Sequence, residues 1–137
     1  MTLRVRYAET DQMQRAYYGR FFEWFEAGRS EFCRSRKIRY MDLEEVGLFL
    51  PILEATCRYR GAARYDDEVT IYVHMIELRR SKLRMGYRLF CKGKEIAEGE
   101  TLQMLINREG KPRSFPKEIA DKFLSAGEST DGTIGAE

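Results

Sequence analysis

The alternation of apolar and polar side chains sets out a strand, then a helix, then a series of strands. Residues 3–7, Leu-Arg-Val-Arg-Tyr, alternate as a short half-buried strand does. Residues 8–17 fit neither the strand period nor the helix period and read as a loop. From Gly19 the period changes. With Tyr18 as origin and about 100° per residue, Tyr18, Phe21, Phe22, Trp24, Phe25, Gly28 and Phe32 share one broad arc. The opposite arc carries Arg20, Glu23, Ser30, Glu31 and Arg34, with Glu26 at the border and Arg29 inside the apolar side. The pattern predicts a helix over 19–36, ended by Lys37 and Arg39, whose charges suit the negative end of a helix dipole.

A short helix over 40–46 follows, stopped by Gly47. Pro51 fixes the entry of a strand in which Ala55, Cys57 and Tyr59 alternate with Glu54, Thr56, Arg58 and Arg60. Residues 61–67 connect it to a longer strand with Val69, Ile71, Val73 and Met75 on one side. Arg79-Arg80-Ser81 turns the chain. Leu83, Met85, Tyr87, Leu89 and Cys91 mark the next strand, and Lys92-Gly93-Lys94 supplies a hairpin turn. The last strand covers 96–107, where Gly99 marks a bulge or a close backbone approach. Gly110, Pro112 and Pro116 punctuate a loop before an amphipathic helix over 117–124. Residues 125–137 are small and polar and are expected to be disordered. The order predicts one α+β domain over 1–124. In it a meander of antiparallel strands curls around a helix too apolar to lie on a surface.

At 137 residues, with 43% hydrophobic and 34% charged side chains, the chain has a globular composition and enough length for one core. Lys and Arg total 24 against 22 acidic residues, so the net charge of +2 makes no case for binding nucleic acid. Cys33, Cys57 and Cys91 form no close pair and leave an odd count, which fits reduced thiols in the cytoplasm. One histidine excludes a His-rich metal site within one chain. No apolar run approaches the roughly 20 residues that span a bilayer, and no signal-peptide core follows Met1. A cytoplasmic domain is the expectation.

Asp11 is the first candidate for chemistry. It lies in the irregular loop just ahead of the helix start, seven positions before Tyr18. Main-chain N–H groups at a helix start lack intrahelical partners and can stabilise a developing oxyanion. A carboxylate beside them can attack a carbonyl or activate water. Those parts suffice for acyl transfer from an ester or thioester. The other reading is that Asp11 caps a turn or the helix.

The segment YAETDQMQRAYYGRFFEWFEAGRSEF resembles the signature of the hotdog-fold acyl-CoA thioesterases, the YbgC and 4-hydroxybenzoyl-CoA thioesterase family. The matching pieces are Thr10-Asp11, Ala16-Tyr17-Tyr18-Gly19-Arg20-Phe21, and Glu26 with Arg29. The similarity continues through Tyr65-Asp66-Asp67-Glu68-Val69 to Gly110-Lys111-Pro112-Arg113 and Pro116, and so covers all but the tail. The resemblance implies a hotdog fold, a long helix wrapped by a curled antiparallel sheet, and hydrolysis of an acyl-CoA to a free acid and coenzyme A. It implies Asp11 as the catalytic carboxylate and the Tyr18 and Gly19 amides as oxyanion donors. It also implies a homodimer, commonly paired into a homotetramer, with each site between subunits. No metal or redox cofactor is implied, since coenzyme A enters only as part of the substrate. Two positions depart from the family: Gln14 stands where glycine is common, and Arg20 where asparagine is common.

Met13 and Tyr17 are candidates to line the acyl tunnel. Arg79, Arg80 and Lys82 read as a solvated hairpin end, yet the segment resembles the basic one with which relatives hold coenzyme A phosphates. His74 shares a strand face with Thr70 and Tyr72, opposite Ile71 and Val73, and is expected at solvent or an interface. The strand of residues 69–75 offers an edge on which two sheets could join. A non-catalytic acyl-thioester-binding or interaction module remains open. So does a hotdog-fold enoyl-thioester hydratase, which needs an Asp–His pair.

Overall fold

Val69, Ile71 and Val73 bury their side chains on one face of a strand, and that face receives the aromatic helix. The computed structural model describes residues 1–125, so the tail expected over 125–137 lies, past Ser125, outside the described residues. The elements are β1 (Thr2–Arg4), α1 (Arg20–Ser35), α2 (Tyr40–Glu45), β2 (Ile52–Tyr59), β3 (Glu68–Leu78), β4 (Lys82–Cys91), β5 (Lys94–Met104) and α3 (Lys117–Leu124). They form one five-stranded antiparallel sheet in the order β1-β3-β4-β5-β2.

That order corrects the expected simple meander. Only β3, β4 and β5 run as successive hairpins; β2 pairs with β5, and β1 pairs with the start of β3. The connection after β2 makes the jump. The Arg60 and Gly61 amides donate to the Ile96 carbonyl at 2.8 and 3.1 Å. Farther on, Asp66 N–H donates to the Val5 carbonyl at 2.9 Å and Val5 N–H to the Asp67 carbonyl at 3.0 Å. The chain is thus stitched first to β5 and then to the segment after β1. In consequence β3 is an interior strand, not the edge expected for residues 69–75. The edges are β1 and β2. All but one residue of β2 are exposed, Ile52, Leu53 and Tyr59 among them.

Gly28 lets α1 approach β3 closely: a Cβ there would stand 2.7 Å from Ile71 Cγ2 and 2.8 Å from Val73 Cγ2. Phe21, Trp24, Phe25 and Phe32 are buried against the sheet. Each such ring contributes about 1.5–3 kcal/mol when fully buried. Phe25 stacks on Tyr87 at 4.5 Å with 12° between the planes. Arg29, the misfit in the apolar arc, is buried too, and donates to the Tyr87 hydroxyl at 3.1 Å; that hydroxyl lies 2.6 Å from Thr101 Oγ1. Tyr18 and Phe22 depart from the arc's prediction and are exposed, because Tyr18 precedes the helix and Phe22 faces the open edge of the sheet.

Two turns are decided by backbone rules. Lys92 and Gly93 have φ of 53° and 77°, the left-handed pair that closes a two-residue hairpin with the right twist. Gly99 is a close approach rather than a bulge: it pairs in register with Cys57, while the β4–β5 irregularity falls between Leu89 and Phe90.

Candidate active site

The loop ahead of α1 is a closed structure, not a floppy connection. Tyr17 N–H donates to the Glu9 carbonyl at 2.8 Å, Thr10 and Ala16 form a bridge, and Asp11 N–H donates to the Arg15 carbonyl at 2.7 Å. Ala16 N–H reaches the Ala63 carbonyl at 2.8 Å, which ties the loop to the connection before β3. The first strand ends early for the same reason. The chain leaves the sheet after Arg4 and makes a single 3-10 turn over Tyr7–Glu9, and this leaves Tyr7 exposed.

Asp11 sits at the closed end of the loop and is exposed. Its Oδ1 accepts Met13 N–H at 2.8 Å and Arg15 N–H at 3.2 Å, while Oδ2 takes no hydrogen bond among the described residues. One oxygen therefore holds the turn and the other stays available. Gln14 has φ of 65°, a region glycine enters without strain. The departure at Gln14 thus changes a side chain but keeps the turn. Arg20 folds back to pair with Glu23 at 2.9 Å and to reach the Ala8 carbonyl at 3.4 Å, so it braces the loop.

At the helix start, Arg20 N–H and Phe21 N–H turn back to the Tyr17 and Tyr18 carbonyls at 2.9 and 3.2 Å. The Tyr18 and Gly19 amides find no acceptor among the described residues, the state expected of helix-start donors. Gly19 is helical, with φ −64° and ψ −22°. Tyr59 O–H donates to the Tyr18 carbonyl at 2.8 Å.

Glu9 is the residue that the sequence pattern does not single out. It is a buried carboxylate whose Oε1 accepts Arg6 N–H at 2.8 Å and whose Oε2 accepts Trp24 Nε1–H at 3.0 Å. Burial pushes its carboxyl up, but the Arg6 amide, the Trp24 indole and the Arg6 guanidinium more than offset this and hold it below the usual carboxylate range. One side chain thus clamps the loop to α1. Because the folded value is depressed, Glu9 contributes full stability above the unfolded value of about 4.3 and loses it as pH falls through the folded value. Glu9→Gln puts an NH₂ against one of two N–H donors. It is expected to cost about 1–3 kcal/mol at neutral pH. Thermal unfolding at pH 7 and at pH 3 checks this, with the gap to wild type closing at the lower pH.

A cavity of about 220 Å³ opens between the first turns of α1 and the β2 edge, lined by Phe22, Phe25, Glu26, Arg29, Ile52 and Ala55. Met13 and Tyr17 are exposed and line no part of it. A larger cavity of about 480 Å³, with His74 over Gly86, lies on the other face of the sheet. His74 alternates with Ile71 and Val73, so it faces away from α1. Arg79, Arg80 and Lys82 are exposed at the β3–β4 turn, where Arg79 pairs with Glu77 and Arg80 Nε–H donates to Ser114 Oγ at 3.0 Å. They are not brought together with Asp11 in one chain. Asp11's loop is tied to the other end of β3, roughly 30 Å away at the usual rise per strand residue.

The family model of the thioesterase-like superfamily matches residues 5–123. A protein of Aquifex aeolicus (strain VF5), provisionally named an esterase, is 30% identical over 118 residues, covering 86% of this chain and 91% of its own. The acyl-CoA thioesterase YbgC of Haemophilus influenzae is 25% identical over 123 residues, 88% of this chain and 90% of its own. The crystal structure of a hypothetical protein from Aquifex aeolicus superposes with a TM-score of 0.85 at 29% identity, covering 90% of this chain and 97% of that one. That of a DHNA-CoA thioesterase from Staphylococcus aureus does so at 0.84 and 24% identity, covering 90% and 86%, and shares the fold. The chain, a hotdog fold, belongs to the thioesterase-like superfamily, whose class of chemistry is thioester hydrolysis.

Proposed function

We propose that the protein hydrolyses an acyl-CoA thioester, with Asp11 as nucleophile or general base and the Tyr18 and Gly19 amides as the oxyanion hole. The observations that carry this reading are a carboxylate with one oxygen unengaged and two helix-start amides without an acceptor among the described residues, all on one hydrogen-bonded loop. With the thioester carbonyl oxygen against the amides, negative charge that develops there meets two preorganised donors and the positive helix end. In the base route Asp11 takes a proton from water as its oxygen attacks the carbonyl carbon. The C–S bond breaks, and the proton passes to the departing thiolate. In the nucleophile route the carboxylate attacks first and water cleaves the resulting anhydride. Either way one water is consumed, and a free acid and coenzyme A are released.

The cavity beside Phe22, Phe25 and Ile52 suits an apolar acyl group, and it opens at the β2 edge, where a second subunit would close it. A homodimer or homotetramer also accounts for Arg79, Arg80 and Lys82. Too distant for their own Asp11, they would hold the nucleotide phosphates of a substrate bound at a neighbouring subunit's loop. Three free thiols fit a reducing cytoplasm, and among the described residues no helix is long and apolar enough to cross a membrane. The hydratase reading loses support from His74, which faces away from α1.

The experiment is thiol release from a panel of short, long and aromatic acyl-CoAs. Turnover of at least one supports the reading; binding of the esters with no turnover of any would favour a non-catalytic module. Reversing Arg79 and Arg80 to Glu is expected to raise KM for acyl-CoA about tenfold or more. An acyl-N-acetylcysteamine substrate, which lacks the nucleotide, should feel no change. Equal effects on both substrates would remove the phosphate role.

A further inference from the structure

We propose that Tyr59 is a positioning residue for the oxyanion hole, its hydroxyl fixing the Tyr18–Gly19 peptide so that the Gly19 N–H faces the reacting carbonyl. The inference rests on the oxyanion role given above to Gly19. In a planar trans peptide the C=O and the following N–H point in opposite directions. Whatever holds the Tyr18 carbonyl therefore aims the Gly19 amide. Two donors hold it: Tyr59 O–H at 2.8 Å and Phe21 N–H at 3.2 Å. Phe21 N–H holds the oxygen from α1 and Tyr59 O–H holds it from the end of β2, so the Gly19 N–H, on the opposite side of the peptide, points away from both. The tether matters because Gly19 has no Cβ, and a glycine beside a peptide lets that peptide rotate at little cost.

The hydroxyl is itself held. The Tyr59 ring meets Tyr18 edge-on at 5.8 Å and Phe21 at 5.0 Å. Partial desolvation, although the ring is exposed, and the nearby Cys57 push its phenol up to about 12, so it remains a donor across the range in which the enzyme would work. Tyr59 is also the last residue of β2. The edge strand therefore reaches the start of α1 through one hydrogen bond, and nothing in the α1 sequence itself supplies it.

Tyr59→Phe keeps the ring and removes only the hydroxyl. The expected result is a fall in kcat of about tenfold with KM inside about twofold, since a misaimed donor loses its effect chiefly in the transition state. In 15N-glycine-labelled protein the Gly19 amide resonance, assigned through its loss in Gly19→Ala, should move in Tyr59→Phe. An unchanged kcat, or a loss confined to KM, would overturn the proposal. Its failure is distinguishable from failure of the oxyanion reading. An unchanged kcat beside a moved Gly19 resonance removes the oxyanion role and leaves the tether, whereas an unmoved Gly19 resonance in Tyr59→Phe refutes the tether whatever the activity.

Discussion

Asp11→Asn is expected to lower thioester turnover by about three orders of magnitude and to leave the fold intact. The substitution is clean because the two oxygens of Asp11 do different things. Oδ1 accepts the Met13 and Arg15 amides, and the carbonyl oxygen of Asn serves them equally well. Oδ2 takes no hydrogen bond among the described residues, and its replacement by NH₂ removes the unengaged carboxylate electron pair on which the proposed role depends. Asp11→Ala would confound the result, since it also releases both amides and the turn they close. Residual activity in the Asn variant measures what the oxyanion donors and substrate positioning do alone. The measurement is thiol release under saturating substrate, with circular dichroism and thermal unfolding as the check on folding. An Asn variant that folds and keeps more than about a tenth of wild-type kcat places the reacting group elsewhere.

The helix, the succession of strands along the chain and the Asp11 loop were legible because each carries a local signal. The aromatic arc predicted α1 to within a residue at each end, and the alternation of Leu83, Met85, Tyr87, Leu89 and Cys91 predicted β4. Strand pairing was not legible. Alternation in β2 records which face a side chain takes but not which strand lies beside it, so the jump from β5 to β1 through residues 60–67 left no periodic trace. The same limit hid the two residues that steady the loop. Glu9 looks like one more acid in a polar loop until Trp24 is seen to donate to it across 15 positions. Tyr59 looks like one more strand aromatic until its hydroxyl meets the Tyr18 carbonyl 41 positions away. Asp11 could be singled out since the role proposed for it depends on the helix start that follows it. Arg79, Arg80 and Lys82 could be noticed as a charge cluster, but their distance from Asp11 along β3 follows only from the register.

Gly99→Ala is expected to cost about 3 kcal/mol, a large fraction of a domain's stability. A Cβ at Gly99 would press into the Thr56 carbonyl oxygen on β2 and stand 2.5 Å from Phe25 Cε2 and 2.7 Å from Cζ. Neither neighbour can give way cheaply. Phe25 is stacked against Tyr87, and the Tyr87 hydroxyl is engaged by Arg29 and Thr101. The carbonyl is backbone. What yields is β2, because among the described residues its one strand neighbour within the chain is β5, and it can shift at the expense of that ladder. Gly93→Ala is the control: its φ of 77° carries the left-handed penalty, but nothing lies within 4 Å of its Cβ, so about 1 kcal/mol is expected. Denaturant midpoints at constant slope separate the two. The displacement also has a functional signature, since β2 carries Tyr59 and its hold on the Tyr18 carbonyl. Folded Gly99→Ala protein should therefore lose kcat as Tyr59→Phe does, and Gly93→Ala should not. If the two glycine variants prove equally stable, the tight contact between β2, β5 and α1 on which this rests does not exist.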